Sequence, residues 1–200
     1  MVQQPIKPEL IIIAGPNGSG KTSVTRRFLH HEWAQGTIYI NPDEVAQQKF
    51  GDWNLRDNVL KAAYYCAEWR ERCLKEKKSF VFETVMSADD KIEFVLRAKQ
   101  AGYFIRLFFI ATAAPTINAA RIASRVMEGG HDVPISKIIS RYFKSIENCR
   151  FIADKVDRLY VYDNSVDGKE AELQFRLVDG KLKKQYVEPI AEWTKAILPI

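Results

Sequence analysis

Residues 9–22 read ELIIIAGPNGSGKT, an apolar run followed by a glycine-rich run. Its second part, Gly15 to Thr22, matches the pattern G-x-x-x-x-G-K-[ST] in full. A short apolar run precedes the pattern and a helix-like run follows it, which is the setting that such a loop needs. Glycines let backbone amides turn inward around phosphate oxygens, and the start of a helix adds partial positive charge. The stretch therefore predicts a loop that holds the phosphates of a nucleotide.

The predicted nucleotide-binding residues are this loop and the residue after it. Lys21 is expected to reach the β- and γ-phosphates, and the Thr22 hydroxyl is expected to ligate Mg²⁺. The sequence motifs of GTP-binding proteins are missing, since the chain has no D-x-x-G, and we therefore expect ATP. The predicted ATP-binding residues are Gly15, Pro16, Asn17, Gly18, Ser19, Gly20, Lys21, Thr22 and Ser23.

Apolar runs of strand length alternate along the chain with longer amphipathic runs. The pattern predicts strands at 9–14, 37–40, 79–83, 103–110 and 158–162, and helices at about 20–31, 55–75, 88–101, 114–127 and 134–148. Strands that alternate with helices predict an α/β fold with a parallel sheet covered on both faces. Near the end, alternating residues around Asp179-Gly180 predict a C-terminal β-hairpin over about 171–187.

Composition narrows the class of protein. The 200 residues have the length of one domain, and we expect a single domain over 1–200. No apolar run approaches the roughly 18 residues of a membrane span, so no membrane partner is expected. Cys66, Cys73 and Cys149 cannot form a disulfide framework, which favours buried thiols and a cytoplasmic location. A net charge of +5 suits a phosphate-rich small ligand at least as well as nucleic acid, and a nucleic-acid binder would more typically show a dense basic stripe.

Acidic residues stand at the ends of three of the predicted strands, where ligands sit in open α/β sheets. Asp163 is the weakest of these candidates, and Asn164-Ser165 after it indicates a plain turn. Asp43 could cap the next helix, or it could take a proton from a substrate hydroxyl. Phe80 to Thr84 looks like a Walker B strand with Glu83 in place of Asp. Glu83 could order Mg²⁺ through water or hold a substrate hydroxyl, with a solvated strand-end carboxylate as the alternative.

The segment 114–148 predicts a lid, because it reads as helix, glycine-containing loop and helix with arginines on polar faces. Closing such a lid brings guanidinium groups onto the charge that develops on a transferred phosphoryl group. An exposed helical hairpin with solvated arginines is the alternative. The residues expected in the core are Ala119, Ile122, Ala123 and Val126 in the first helix and Ile135, Ile138, Ile139, Tyr142 and Ile146 in the second. The residues expected on the opposite, polar faces are Asn118, Arg121, Arg125, Arg141, Ser145 and Asn148.

Together these motifs resemble the zeta-toxin-type kinases, in particular small stand-alone bacterial members. The resemblance covers about Leu10 to Tyr162, and its most particular part is the G-G-H-x-V-P run at 129–134 followed by Arg141-Tyr142. It implies a P-loop NTPase fold like that of nucleotide kinases, with a five-stranded parallel core. It also implies a phosphotransferase that uses ATP and Mg²⁺ and has an alcohol group as acceptor. In the toxins the acceptor is a UDP-activated N-acetylated amino sugar such as UDP-N-acetylglucosamine.

The resemblance also assigns roles to single residues. By motif, Lys21 would be the phosphate lysine, Asp43 the general base and Arg125 a lid arginine, while Arg141 would supply a second lid charge. The predicted substrate-binding residues are Glu83, Thr84 and His131, the last standing where the toxins carry an arginine. The expected partners are ATP and a small-molecule hydroxyl acceptor, and an antitoxin is left open. A nucleotide-binding switch that acts on a partner protein and a polynucleotide kinase remain the alternative functions.

Overall fold

The computed structural model describes residues 7–29, 36–51, 55–130 and 132–199. Strands and helices alternate through most of this length, as the sequence predicts. The elements are β1 Glu9–Ala14, α1 Lys21–Leu29, β2 Ile38–Ile40, α2 Pro42–Phe50, α3 Arg56–Glu76, β3 Phe80–Thr84, α4 Asp89–Gln100, β4 Phe104–Ala111, α5 Pro115–Met127, α6 Ile135–Ile152, β5 Arg158–Asp163, β6 Glu172–Val178, β7 Lys181–Gln185 and a 3-10 helix at Glu192–Ile197.

All seven strands join one sheet in the order β2-β3-β1-β4-β5-β6-β7. The first five strands in this order run parallel, which confirms the predicted parallel core. The predicted hairpin is present as β6 and β7, and it extends the same sheet by pairing antiparallel to β5. Because β1 lies between β3 and β4, the loop that follows it emerges at the middle of the sheet edge. Within the described ranges, no helix has the length and apolar character to cross a membrane.

The core lies on both faces of the sheet, and β1 contributes to each. Leu10 and Ile12 pack into the larger cluster, whereas Ile11 and Ile13 pack into the cluster beneath α1. This two-sided burial explains why the strand is continuously apolar rather than alternating. Cys66, Cys73 and Cys149 are free, buried thiols, as predicted.

Two helical elements lie outside the predicted helix ranges. α2 begins directly after β2, with Asn41 as its N-cap and Pro42 in its first turn. Pro42 suits this place because the first helical residue needs no N–H. The 3-10 helix near the C-terminus packs Trp193 against Phe109, with ring centroids 6.2 Å apart. The indole Nε1 of Trp193 also donates to Asp163 Oδ1 at the end of β5, 2.7 Å away. α6 runs to Ile152, beyond the predicted end.

The two edges of the sheet differ in character. β2, at one edge, is short and partly buried, with three residues. β7, at the other edge, has five residues, all exposed, among them Lys181, Lys183 and Lys184. Charged side chains along an outer strand disfavour pairing with a further strand.

The prediction of which faces of α5 and α6 are buried was partly wrong. Ile122, Ile138 and Tyr142 are buried as expected, but Ala123, Val126, Ile135 and Ile139 are exposed. The buried positions include three predicted polar-face residues, Asn118, Ser145 and Asn148. These polar side chains turn toward the loops at the sheet edge, where they find hydrogen-bond partners, and the apolar residues are left outside.

Candidate active site

The loop after β1 approaches its neighbours so closely that only glycine fits at two positions. Gly15 has φ +150°, and a Cβ built there would lie 1.9 Å from the Ile110 carbonyl oxygen. Gly18 has φ +74°, and its Cβ would lie 2.6 Å from the Asn118 carbonyl oxygen. The backbone of the loop therefore packs directly against the end of β4 and against α5.

Two asparagines from distant parts of the chain hold this loop. Asn118 Nδ2 of α5 donates to the Asn17 carbonyl oxygen at 2.6 Å, and Asn164 Nδ2 after β5 donates to the Ser19 carbonyl oxygen at 2.8 Å. Arg121 in turn donates to the Asn164 carbonyl oxygen at 2.8 Å. Asn164 was interpreted from sequence as part of a plain turn, and its place directly after a strand end was the only signal of a role here.

A buried hydroxyl points to the ligand of the loop. Ser19 is fully buried, yet its Oγ has no hydrogen-bond partner. Buried polar atoms are nearly always paired, so an unpaired one inside a glycine cradle fits a missing acceptor or donor group. A phosphate oxygen provides such a partner, and the loop geometry fits a phosphate group.

Sheet register explains why the predicted catalytic residues come together. Thr84 at the end of β3 lies beside Ala14 at the end of β1, and the Gly15 amide donates to the Thr84 carbonyl oxygen at 3.2 Å. Ile40 at the end of β2 lies beside Phe82. Residues that follow β1, β2 and β3 therefore emerge at one edge of the sheet.

Lys21 lies at the centre of this edge. Its Nζ donates to the carbonyl oxygens of Gly15 at 2.8 Å and Pro16 at 2.9 Å. Burial lowers the pKa of Lys21 to about 8, while the negative charges of Glu83 and Asp43 raise it and the positive charge of Arg125 lowers it. Four predicted catalytic or substrate-binding residues thus lie within electrostatic range of one another. Thr22 and Ser23 are exposed at the start of α1.

Asp43 is not the cap of α2, and that alternative is wrong. Asn41 is the N-cap, because its Oδ1 accepts a hydrogen bond from the Asp43 amide at 2.9 Å. The Asp43 side chain is exposed in the first turn of the helix. Its carboxylate is therefore available to a ligand.

Glu83 belongs to a hydrogen-bonded chain that the sequence did not reveal. Tyr39 Oη donates to Glu83 Oε1 at 2.8 Å and accepts from Asn41 Nδ2, also at 2.8 Å. The pKa of Tyr39 is raised, first by burial and then by the charge of Glu83. Burial and Glu83 also raise the pKa of Glu44. Tyr39 therefore fixes one oxygen of Glu83 and leaves the other to a ligand.

The predicted lid residues lie in different situations. Arg141 Nη1 donates to Asn17 Oδ1 at 3.3 Å, which brings this arginine to the phosphate loop. Arg125 is exposed near the end of α5, where the Gly130 amide closes the helix by donating to its carbonyl oxygen at 2.9 Å. His131 lies outside the described residues. Within the described part of the chain, no group of three or more His, Cys, Asp or Glu side chains could hold a metal ion.

A parallel sheet in the order β2-β3-β1-β4-β5, with a phosphate-binding loop after its central strand, defines the P-loop class in the arrangement of nucleotide kinases. Within that class, the family model described as Zeta toxin matches residues 1–169. The chain belongs to this family, which confirms the resemblance stated from sequence.

Known proteins show how far the similarity reaches. An uncharacterized protein of Haemophilus influenzae is 30% identical over 132 residues, which cover 66% of this chain and 91% of that protein. A chain from the PezAT toxin–antitoxin system of Streptococcus pneumoniae is 18% identical, with a TM-score of 0.58 over 81% of this chain and 70% of that chain. A chain of the AvrRxo1-ORF1:AvrRxo1-ORF2 complex with ATP is 17% identical, with a TM-score of 0.69 over 97% of this chain and 64% of that chain. This chain thus spans less than two thirds of the AvrRxo1 complex chain, and at these identities the two structures support the fold alone.

Proposed function

We propose that this protein is an ATP-dependent kinase that transfers the γ-phosphoryl group of ATP to a hydroxyl of a small-molecule acceptor. The proposed acceptor is a nucleotide sugar such as UDP-N-acetylglucosamine. Membership of the zeta toxin family supports the reaction class, and the AvrRxo1 complex with ATP shows that a chain of this fold has been solved with that nucleotide.

The observation that carries the proposal is the group of charges around Lys21. The Lys21 ammonium, which donates to the Gly15 and Pro16 carbonyl oxygens, is within electrostatic range of the Asp43 and Glu83 carboxylates and of the Arg125 guanidinium. Phosphoryl transfer needs positioned positive charge for the phosphates and a group that takes the proton of the attacking hydroxyl. The exposed carboxylate of Asp43 can accept that proton, a group that transfer to a hydroxyl needs and nucleotide binding alone does not.

Each of these residues has a distinct task in the proposed reaction. Lys21 exchanges the two loop carbonyls for phosphate oxygens, and Arg125 and Arg141 stabilise the charge on the moving phosphoryl group. Asp43 accepts the proton of the acceptor hydroxyl while the oxygen of that hydroxyl forms a bond to the γ-phosphorus. The bond between that phosphorus and the bridging oxygen breaks, and the electron pair leaves with ADP. Glu83, held by Tyr39, orients the acceptor.

Mg²⁺ fits this site through the Thr22 hydroxyl, which lies exposed at the start of α1 beside the loop. When bound, it would neutralise phosphate charge. A single Thr ligand is compatible with Mg²⁺, which keeps several waters and is usually completed by phosphate oxygens.

A screen of acceptors with mass detection tests the proposal. The protein, ATP and Mg²⁺ are incubated with UDP-N-acetylglucosamine, other nucleotide sugars, free sugars and a 5′-hydroxyl oligonucleotide. We expect one nucleotide sugar to gain the mass of one phosphoryl group, and Asp43→Asn to abolish that gain. Phosphorylation of the oligonucleotide alone would replace the proposal with a polynucleotide kinase. ATP hydrolysis with no acceptor modified would favour the nucleotide switch.

A further inference from the structure

The middle of α6 is bonded to the loop that follows β3, residues 85–87. Ser145 Oγ donates to the Val85 carbonyl oxygen, and Asn148 Nδ2 donates to the Met86 carbonyl oxygen at 2.9 Å. Ser145 is fully buried and Asn148 is 5% exposed. Two successive carbonyl groups of one loop are thus held by two side chains one helical turn apart.

The loop adopts a conformation that does not persist by itself. Met86 has φ +57°, in the left-handed region that non-glycine residues rarely adopt. Its amide donates to Thr84 Oγ1 at 3.0 Å, and its side chain is 1% exposed. Backbone strain of this kind is maintained only where the surroundings determine the conformation, and here the surroundings are α6 and Thr84.

The same helix is anchored to two further segments of the sheet edge. Tyr142 Oη donates to the Thr112 carbonyl oxygen at 2.6 Å, and Arg141 reaches Asn17 of the phosphate loop. Residues 141, 142, 145 and 148 of α6 therefore connect the nucleotide loop, the end of β4 and the loop after β3. These bonds attach the middle of α6 to three loops at the edge of the sheet.

We propose that Ser145 and Asn148 are positioning residues for the phosphoryl acceptor, an inference that rests on the proposed function. They hold the left-handed bend at Met86, and this bend sets the direction in which the chain leaves Glu83 and Thr84. In the proposed reaction the acceptor binds at Glu83 and Thr84, whereas ATP binds at the loop after β1. Loss of either bond displaces the acceptor relative to the γ-phosphate and leaves the nucleotide site in place.

Kinetics and methionine NMR test this role together. The variants are Asn148→Ala and Ser145→Ala, the second of which removes a single oxygen and keeps a folded protein available. The control is Ser140→Ala, an exposed serine of α6 that bonds only within its own helix. With UDP-N-acetylglucosamine as the probe, we expect kcat/KM for the acceptor to fall about ten- to a hundredfold, because small misplacements of reacting groups have such effects. KM for ATP should stay within about twofold, since the phosphate loop keeps its contacts.

Methyl-labelled methionine reports on the loop directly. The chain has three methionines, Met1, Met86 and Met127, so the signals are few and Met127 on α5 is an internal reference. We expect the Met86 methyl signal to shift or broaden in both variants and to stay in place in Ser140→Ala. An unmoved Met86 signal would overturn the inference. So would a KM for ATP that rises by as large a factor as kcat/KM for the acceptor falls. If the wild-type protein leaves UDP-N-acetylglucosamine unmodified, the proposed acceptor fails, and the Met86 signal alone decides whether α6 holds the loop.

Discussion

The depressed pKa of Lys21 predicts that ATP binding weakens as the pH rises through 8. In the free protein burial lowers the pKa of Lys21 to about 8. Bound phosphates favour the ammonium form, so the complex keeps the proton at higher pH than the free protein does. Binding then takes up a proton above pH 8, and the Kd for ATP increases as free protons become scarce.

The magnitude follows from the pKa. If the complex stays protonated, the Kd scales with one plus the ratio of neutral to charged Lys21 in the free protein. This factor predicts an increase of about tenfold between pH 7 and pH 9, or about 1.4 kcal/mol of binding free energy.

Neighbouring charges should move the onset in known directions. Glu83→Gln removes a negative charge that raises the pKa of Lys21, so the weakening should begin at lower pH. Arg125→Gln removes a positive charge that lowers this pKa, so the weakening should begin at higher pH. Glu71→Gln is the matched control, because Glu71 pairs with Arg97 and does not act on Lys21.

Calorimetry in two buffers of different ionisation enthalpy measures both the affinity and the proton uptake. We expect uptake near zero at pH 7 and near one proton at pH 9. An ATP affinity that is constant from pH 7 to pH 9 would refute the burial of Lys21 in the free protein. If ATP binding begins to weaken at the same pH in Glu83→Gln and Arg125→Gln, then Glu83 and Arg125 do not both act on Lys21.

Three further variants test other parts of the site. Asp43→Asn should reduce phosphoryl transfer by about 10² to 10⁴-fold, the usual contribution of a general base, with a melting temperature close to wild type because Asn41 keeps the cap. Gly15→Ala should destabilise the protein in urea by more than about 2 kcal/mol because of the overlap with Ile110, whereas Gly102→Ala, with open space around it, should cost only about 1–2 kcal/mol of backbone strain. Asn118→Ala should lower the free energy of unfolding by about 1–3 kcal/mol and raise the Kd for ATP, as seen by thermal melts and calorimetry, because the part-buried Asn17 carbonyl loses its donor.

Local sequence patterns correctly predicted the features of the fold that are determined by neighbouring residues in the chain. The continuous apolar run before Gly15 predicted a buried parallel strand, and β1 is one. The glycines predicted a loop whose backbone turns toward phosphate, and the structure shows that only glycine fits at Gly15 and Gly18. The register of the strands then brought Lys21, Asp43 and Glu83 to one edge, as the rule for open α/β sheets predicts.

Contacts between segments that are distant in the chain could not be predicted from the sequence. Asn118 and Asn164 bond to loop residues 101 and 145 positions away, and single amides of this kind carry no periodic signal. The amphipathic pattern of α5 and α6 gave a partly wrong prediction of the buried faces, because it was interpreted on the rule that polar faces are exposed to solvent. Here Ser145 and Asn148 satisfy loop carbonyls, so burial of their face costs little.

The lysine-lined strand β7 has a consequence for how the protein behaves at high concentration. An open sheet can grow by accepting a strand from a second molecule, and its outermost strand offers unpaired backbone groups for this. Lys181, Lys183 and Lys184 place three ammonium groups along that strand. Two molecules that approached edge to edge would bring six positive charges into one narrow seam. We therefore expect these exposed lysines to disfavour growth of the seven-stranded sheet by edge-to-edge association.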